Sequence, residues 1–356
     1  MPIGSELPTP GTVDDLSPEW LTGALGAGRV TNVSAESVGA GLGLVATLHR
    51  LTLTYDGEGP RTVIAKLPSI APSSRFVAQL LSMYRREVGF YTELSARTPL
   101  GHPRCLYADF DDATQNFVLL LEDLGGRRTV DQLVGCNRDD AVLAVSRLAE
   151  HHAAWWDHAA LAKPGWLPSI SDAPLPDAVA YSFEQSWGAT KELFADRMPA
   201  EIHALGERFA GLVPAILQRL AEPPSTLSHG DYRLDNMFFA DGDLALCDWQ
   251  LVDRSRGGRD LGYFATQSLR VEDRSAWEHE LVDLYVERLA AGGVTGYDRA
   301  AAWDDYRMSA LLGLAYPVIA TGSLDHTDPR SYQLTGDMLE RAVRAIIELD
   351  CLTLAG

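Results

Sequence analysis

Residues 227–248 constrain this chain more than any other stretch. Leu227-Ser-His-Gly-Asp-Tyr-Arg-Leu-Asp-Asn236 leads into the apolar run Met237-Phe-Phe-Ala240. Asp241-Gly242-Asp243 follows, then a second apolar run, Leu244-Ala-Leu-Cys247, and Asp248. Two short apolar runs around an Asp-Gly turn predict a β-hairpin. Antiparallel pairing brings their outer ends together, so Asn236 and Asp248 are expected to be neighbours although 12 positions separate them. Two oxygen-bearing side chains held side by side suit a Mg²⁺ ion carrying ATP phosphates. Asp231 stands where it could accept a proton from a hydroxyl. Singly these residues are ordinary, because Asp-Gly turns and His-Gly-Asp triplets arise by chance. Their joint spacing is what points to metal-assisted phosphoryl transfer.

The pattern His229-Gly-Asp231, four residues, Asn236, and then Cys247-Asp248-Trp249 resembles the aminoglycoside phosphotransferase/choline kinase family, relatives of the protein kinases. His-Gly-Asp stands where protein kinases carry His-Arg-Asp, and Asp248-Trp-Gln250 where they carry Asp-Phe-Gly. His229–Asn236 looks like the phosphotransferase domains associated with acyl-CoA dehydrogenases. Asp248-Trp-Gln250 and Gly258-Arg-Asp-Leu-Gly-Tyr-Phe264 look more like ecdysteroid-kinase-type proteins. The resemblance covers about residues 30–350. It implies a two-lobed, protein-kinase-like α+β fold: a small β-rich N-lobe with one long helix, and a larger, mainly helical C-lobe.

Further residues fall into place within that resemblance. Lys66 ends the strand-like run Thr62-Val-Ile-Ala65, where the family's lysine holds the α- and β-phosphates and is steadied by a helix glutamate. Glu87 fits that role on periodicity too. Leu80, Met83, Phe90, Tyr91 and Leu94 recur around it at helical spacing, so Glu87 is expected on an apolar face. A lone carboxylate there is unfavourable unless paired, and Lys66 is the natural partner. Gly41 and Gly43, in Gly39-Ala-Gly-Leu-Gly43, could let backbone amides approach phosphates, or could form only a turn. Glu122 and Leu124 follow the apolar run 118–121, where the family's hinge offers backbone groups to the adenine edge. Arg233 could neutralise the transferring phosphoryl or anchor the loop. Asp235 reads as an alternative acid or, more simply, a surface residue. Asp260 resembles a residue that braces the catalytic loop. Gln250 replaces the protein-kinase glycine, which argues against a regulatory flip of the Asp248 segment. His151, His152 and His158 match no zinc spacing. With Trp155 and Trp156 they read as a helix packed under the site, or as part of an acceptor pocket.

Composition excludes more than it specifies. With 49 acidic and 30 basic residues the formal charge is −19, which argues against nucleic acid and anionic membrane surfaces as partners. An acidic surface is compatible with a cationic substrate, and equally with plain solubility. The four cysteines, at 105, 136, 247 and 351, are too scattered for a zinc or redox motif, so reduced thiols in a cytoplasmic protein are expected. The first residues lack a basic and apolar leader. The longest apolar run, Met308 to Gly322, carries Pro317, is too short to span a bilayer, and reads as a buried helix.

Ser17-Pro18 signals a helix start. Strands are expected over 30–38, 45–55, 61–67, 105–109 and 117–121, and a long helix over 74–97. Helices are expected over 138–158, 199–221, 275–291, 298–320 and 333–350. The organisation read from this is an N-terminal extension (1–29), a nucleotide-binding N-lobe (30–121) and a C-lobe (122–356) with the catalytic loop, metal site and acceptor pocket. The expected activity is transfer of the γ-phosphoryl of ATP to a hydroxyl of a small molecule. Lys66 binds the triphosphate, Asn236 and Asp248 hold Mg²⁺, and Asp231 orients and deprotonates the hydroxyl. No obligate protein partner is evident. Two rivals stand beside this reading: an antibiotic kinase acting on an aminoglycoside or macrolide, and a nucleotide-binding module without turnover. The four intact residues Lys66, Asp231, Asn236 and Asp248 speak against the second.

Overall fold

Alternation along the strands decides which side of the first sheet is core. Strands β1 (Arg29–Val38), β2 (Ala46–Asp56), β3 (Thr62–Pro68), β4 (Cys105–Asp111) and β5 (Asn116–Glu122) form one sheet in the order β1-β2-β3-β5-β4, antiparallel throughout. Leu51, Leu53, Val63, Ala65, Leu67, Val118 and Leu120 share one face. They pack against Leu16 and against Trp20 and Leu21 of helix α1 (Pro18–Leu25). Ser17 caps α1 by accepting from Trp20 N at 3.2 Å. Period 2 then sends Lys66 to the opposite face, where the register pairs it with Leu48 and Leu119. The computed structural model describes residues 7–39 and 45–355. Gly41 and Gly43 lie outside the described residues.

The long helix expected over 74–97 is broken. Helix α2 (Pro72–Leu80) stops, Ser82 takes a left-handed conformation (φ 52°), and helix α3 (Met83–Gly89) starts afresh. A π-type turn over Phe90–Leu94 and a 3₁₀ turn over Ser95–Arg97 complete the segment. The break resets the helical phase. Met83, Glu87, Phe90, Tyr91 and Leu94 are buried as the spacing required, but Leu80 is exposed, against expectation. Tyr84 of α3 stacks on Phe117 of β5 at 4.3 Å, which sets α3 on the Lys66 face of the sheet.

The chain divides into two compact units: Met1–Arg128 with Ala245–Val252, and Thr129–Leu244 with Asp253–Gly356. The stretch from Ala245, at the end of the predicted hairpin, to Val252 thus groups with the first unit, although sequence order puts it in the C-lobe. The second unit is mainly helical, with α4 (Arg138–Trp155), α5 (Leu175–Phe194) and α6 (Ala200–Ala221) preceding the loop over 229–236. Strand β6 (Thr226–Ser228) enters that region, and β7 (Met237–Ala240) and β8 (Asp243–Leu246) form the expected two-stranded hairpin. Strand β9 (Asp253–Ser255) pairs back on β6. Helices α7 (Gly258–Ser268), α8 (Val271–Ala291), α9 (Arg299–Leu312), α10 (Ala315–Ser323) and α11 (Pro329–Glu348) follow.

The single helix expected over 298–320 is two helices. The chain turns at Gly313-Leu314, and Pro317 falls in the first turn of α10, where its missing N–H removes no intrahelical bond. Helices α5 and α7 were not expected. Helix α5 begins among prolines but buries Phe183, Trp187 and Phe194 at helical spacing. Helix α7 carries two glycines and has every residue buried, so tertiary packing outweighs propensity there. Among the described residues, no helix is long and apolar enough to cross a membrane.

Candidate active site

In the first unit the geometry centres on Lys66. Its Nζ lies 2.6 Å from Glu87 Oε2 and 2.7 Å from Asp248 Oδ1, so the expected Lys66–Glu87 pair is present and Asp248 joins it. Lys66 and Glu87 are almost fully buried. Burial alone would lower the ammonium's pKa, but the two carboxylates outweigh it and raise it, which keeps the lysine charged. Burial pushes the Glu87 carboxyl up, with Lys66 pulling against it. Asp248 sits in a left-handed backbone conformation (φ 66°, ψ 59°), uncommon outside glycine, and Gln250 Nε2 donates to its Oδ2 at 3.3 Å.

Two residues that the sequence did not single out for this purpose hold the Asp248 segment. Arg86, next to Glu87, donates through Nε to Val252 O at 2.9 Å and through Nη2 to Leu251 O at 2.6 Å. Phe90 stacks on Trp249 with centroids 3.7 Å apart and planes within 5°. The available signal was the pair Arg85-Arg86 next to Glu87, and sequence alone does not say which of the two turns inward. Glu122 ends β5: its N–H donates to Arg104 O at 2.9 Å and its carboxylate accepts from Arg104 N at 3.1 Å. Leu124 is buried, and its carbonyl accepts from Arg127 N at 2.9 Å.

In the second unit Asp231 is the hub. Arg233 Nε lies 3.0 Å from Asp231 Oδ1 and 3.1 Å from Oδ2. Asn236 Nδ2 donates to Asp231 O and to Oδ2, both at 2.9 Å, and Tyr263 Oη donates to Oδ1 at 2.8 Å. Burial would raise the carboxyl's pKa, but the Arg233 charge and the Tyr263 and Asn236 hydrogen bonds lower it below the ordinary value. Asp231 is therefore a carboxylate at neutral pH. Arg233 also reaches Asp235 Oδ2 at 2.9 Å and Gln132 Oε1 at 3.1 Å, which makes it a loop anchor as well as a counter-charge. Asp235 is held in that pair and is not a loose surface residue. Tyr263 was legible only as part of a family motif.

The loop beneath is braced from α7. Asp260 accepts from His229 N at 2.7 Å and Gly230 N at 3.0 Å, and Arg259 Nη1 donates to Asp253 Oδ2 at 2.7 Å. Asp260 thus does what the sequence assigned to it. Of the three histidines, His151 Nε2 meets Leu227 O at 2.8 Å, His152 Nδ1 meets Tyr285 Oη at 2.7 Å, and His158 caps a short 3₁₀ turn. The first ties α4 to β6, the strand that leads into the loop, and the second ties α4 to α8.

Comparison with known proteins bears on the whole arrangement. Residues 41–292 match the model of the Ecdysteroid kinase-like family. No curated protein matches the chain. Among solved structures, a choline/ethanolamine kinase family protein from Mesorhizobium loti is similar at 16% identity and TM-score 0.52, covering 91% of this chain and 92% of that one. Choline kinase from Cryptosporidium parvum Iowa II is similar at 10% identity and TM-score 0.53, covering 90% and 92%. APH(2″)-IIia, solved with GDP and kanamycin, is similar at 11% identity and TM-score 0.52, covering 90% and 96%. At these identities the likeness is one of fold, and the fold is kinase-like.

Proposed function

Because the chain belongs to the ecdysteroid kinase-like family, we propose that it transfers the γ-phosphoryl of ATP to a hydroxyl of a small molecule. The observation that carries this reading is the buried Lys66 held by Glu87 and Asp248 at 2.6 and 2.7 Å. Burying a charged pair such as Lys66 and Glu87 is a poor way to stabilise a fold, because desolvation can exceed the attraction gained. A lysine kept charged at that expense suits a ligand with negative charge, and a triphosphate supplies it. Gly41 and Gly43 as phosphate contacts, and the Glu122–Leu124 backbone as the adenine contact, belong to the same proposal.

Asp248 and Asn236 as the residues that would hold Mg²⁺ belong to the same proposal. Asp248 offers carboxylate oxygens, and Asn236, whose Nδ2 is engaged by Asp231, offers its Oδ1. Among the described residues no group of three His, Cys, Asp or Glu could hold a metal by itself. When bound, Mg²⁺ would neutralise phosphate charge. The chain's own part is to bind, orient and accept. Lys66 binds phosphate oxygens. Asp231, ionised and fixed by three side-chain donors, orients the acceptor hydroxyl and takes its proton as the bond to phosphorus forms. Positioning and charge stabilisation provide most of the rate.

The acceptor proposed is neutral. Around Asp231 the acidic charge is partly offset, with Arg233 shared between Asp231 and Asp235 and Arg259 paired with Asp253. The test is ADP release with Mg·ATP, and with Mg·GTP in parallel, over an ecdysteroid, choline, ethanolamine, kanamycin and simple polyols. Acceptor-dependent ADP release with a neutral alcohol is expected. Release stimulated only by the cationic compounds would overturn the neutral acceptor. Nucleotide binding with no release in any arm would overturn the kinase reading in favour of a binding module.

A further inference from the structure

One helix reaches the catalytic loop twice. Asp260 of α7 holds the loop's backbone through His229 N and Gly230 N. Three residues on, on the same face of the helix, Tyr263 reaches the loop's functional side chain, with Oη 2.8 Å from Asp231 Oδ1. The other donors to that carboxylate, Arg233 and Asn236, lie on the loop itself and move with it. Tyr263 is the donor on a separate, rigid element.

That rigidity is built into the sequence. Gly258 and Gly262 are one turn apart and face α9. A Cβ on Gly258 would stand 2.4 Å from Asp305 Cβ, and one on Gly262 would stand 2.5 Å from Ser309 Cβ. The two helices approach closely because these residues lack side chains. Ser309 Oγ donates to Arg259 O at 2.6 Å, which fixes the helix against sliding. The Tyr263 ring is buried and packs on Tyr316, centroids 4.5 Å apart.

We propose that Tyr263 is a positioning residue for the reaction, setting the rotamer of Asp231 from α7 so that the carboxylate meets the acceptor hydroxyl in one orientation. A carboxylate offers about four acceptor positions. With Tyr263 on Oδ1, Asn236 on Oδ2 and Arg233 across both, the position an acceptor hydroxyl must share is crowded, and the carboxylate's rotamer decides where it points. A loop carboxylate without the tyrosine could rotate and present that position elsewhere. Misplacement by about 1 Å is enough for a 10²-fold loss of rate.

This inference rests on the phosphotransferase reading, and its test separates the two. The variant is Tyr263→Phe in the full chain, which keeps the ring and its packing. The first readout is the crystal structure of the variant beside the wild type. The Asp231 carboxylate is expected to leave its position or to occupy more than one; a single, unmoved rotamer would overturn the proposal. The second readout is steady-state ADP release from Mg·ATP with water as acceptor. We expect kcat to fall about 10- to 100-fold with the KM for ATP within about 2-fold of wild type. In an Asp231→Asn background the same change should reduce residual turnover by less than about 2-fold, since Tyr263 acts through Asp231. An unchanged kcat, or an equal loss in both backgrounds, would overturn the role. The kinase reading stands or falls on the acceptor-dependent release described above, and if the wild type shows no turnover with water, the position of Asp231 in the variant crystal still decides the role of Tyr263.

Discussion

Lys66 and Asp231 show how single residues can be read from a sequence and where such reading stops. The sequence paired Lys66 with Glu87 from two independent signals: a lysine ending a strand, and a glutamate stranded on an apolar helix face. The 2.6 Å contact is that pair. Its energetics are coupled. Removing Lys66 leaves Glu87 buried without its counter-charge, which costs about 3–5 kcal/mol for a buried pair, whereas removing Glu87 leaves Lys66 with Asp248 alone. Lys66→Ala should mainly weaken Mg·ATP binding and turnover, and Glu87→Ala should act through Lys66. The double variant should therefore lose much less than the sum of the singles, as measured by ATP affinity and ADP release. Additive losses would show that the two residues work independently, and would remove the argument that the lysine is held for a phosphate.

Elements were legible where one face of the chain meets one core. The five strands of the first sheet were found because each alternates against α1 and its neighbours, with ends near those expected. The hairpin after Asn236 was found because its turn chemistry is local. Failures came where a distant contact decides. Ser82 in a left-handed conformation splits a run whose periodicity looked continuous, and Gly258 and Gly262 disguise a helix that exists only because α9 needs them small. Arg86 belongs to the same class: nothing nearby in sequence says that its guanidinium will take the carbonyls of residues 165 and 166 positions away. Its removal gives an element-scale prediction. Arg86→Ala leaves Leu251 O and Val252 O without this donor in a buried setting, and each orphaned polar group costs about 1–3 kcal/mol. The first unit should lose stability by a few kcal/mol in chemical denaturation. The Asp248 segment should also gain amide exchange out of proportion to α1. Uniform loosening of both would show that Arg86 braces the unit generally and has no specific hold on the Asp248 segment.

For the whole molecule, the 49 acidic residues suggest an acid response dominated by bulk charge, yet two buried groups should set its onset. Exposed carboxylates titrate alike in folded and unfolded chains and contribute little to the difference between them. His151 is different. Burial, helped by the neighbouring His152, pulls its pKa from 6.5 down to about 3. Between those values the unfolded chain binds a proton that the folded chain refuses, so stability falls as pH drops from about 6.5 toward 3. Asp260 adds to the loss lower down. Burial would raise its carboxyl, but His152, Arg259 and His229 pull it well below the ordinary range. Its stabilising effect is complete above the unfolded value of about 3.9 and is lost as pH falls through the folded one. Melting temperature against pH should then show an early decline beginning near 6.5, flattened in His151→Gln, which keeps a donor for Leu227 O. The gap between wild type and Asp260→Asn should be widest above about pH 5 and should close in stronger acid. A gap that stays constant to pH 2 would mean that Asp260 is not held as a carboxylate, and the brace from α7 to His229 and Gly230 would need another source of strength.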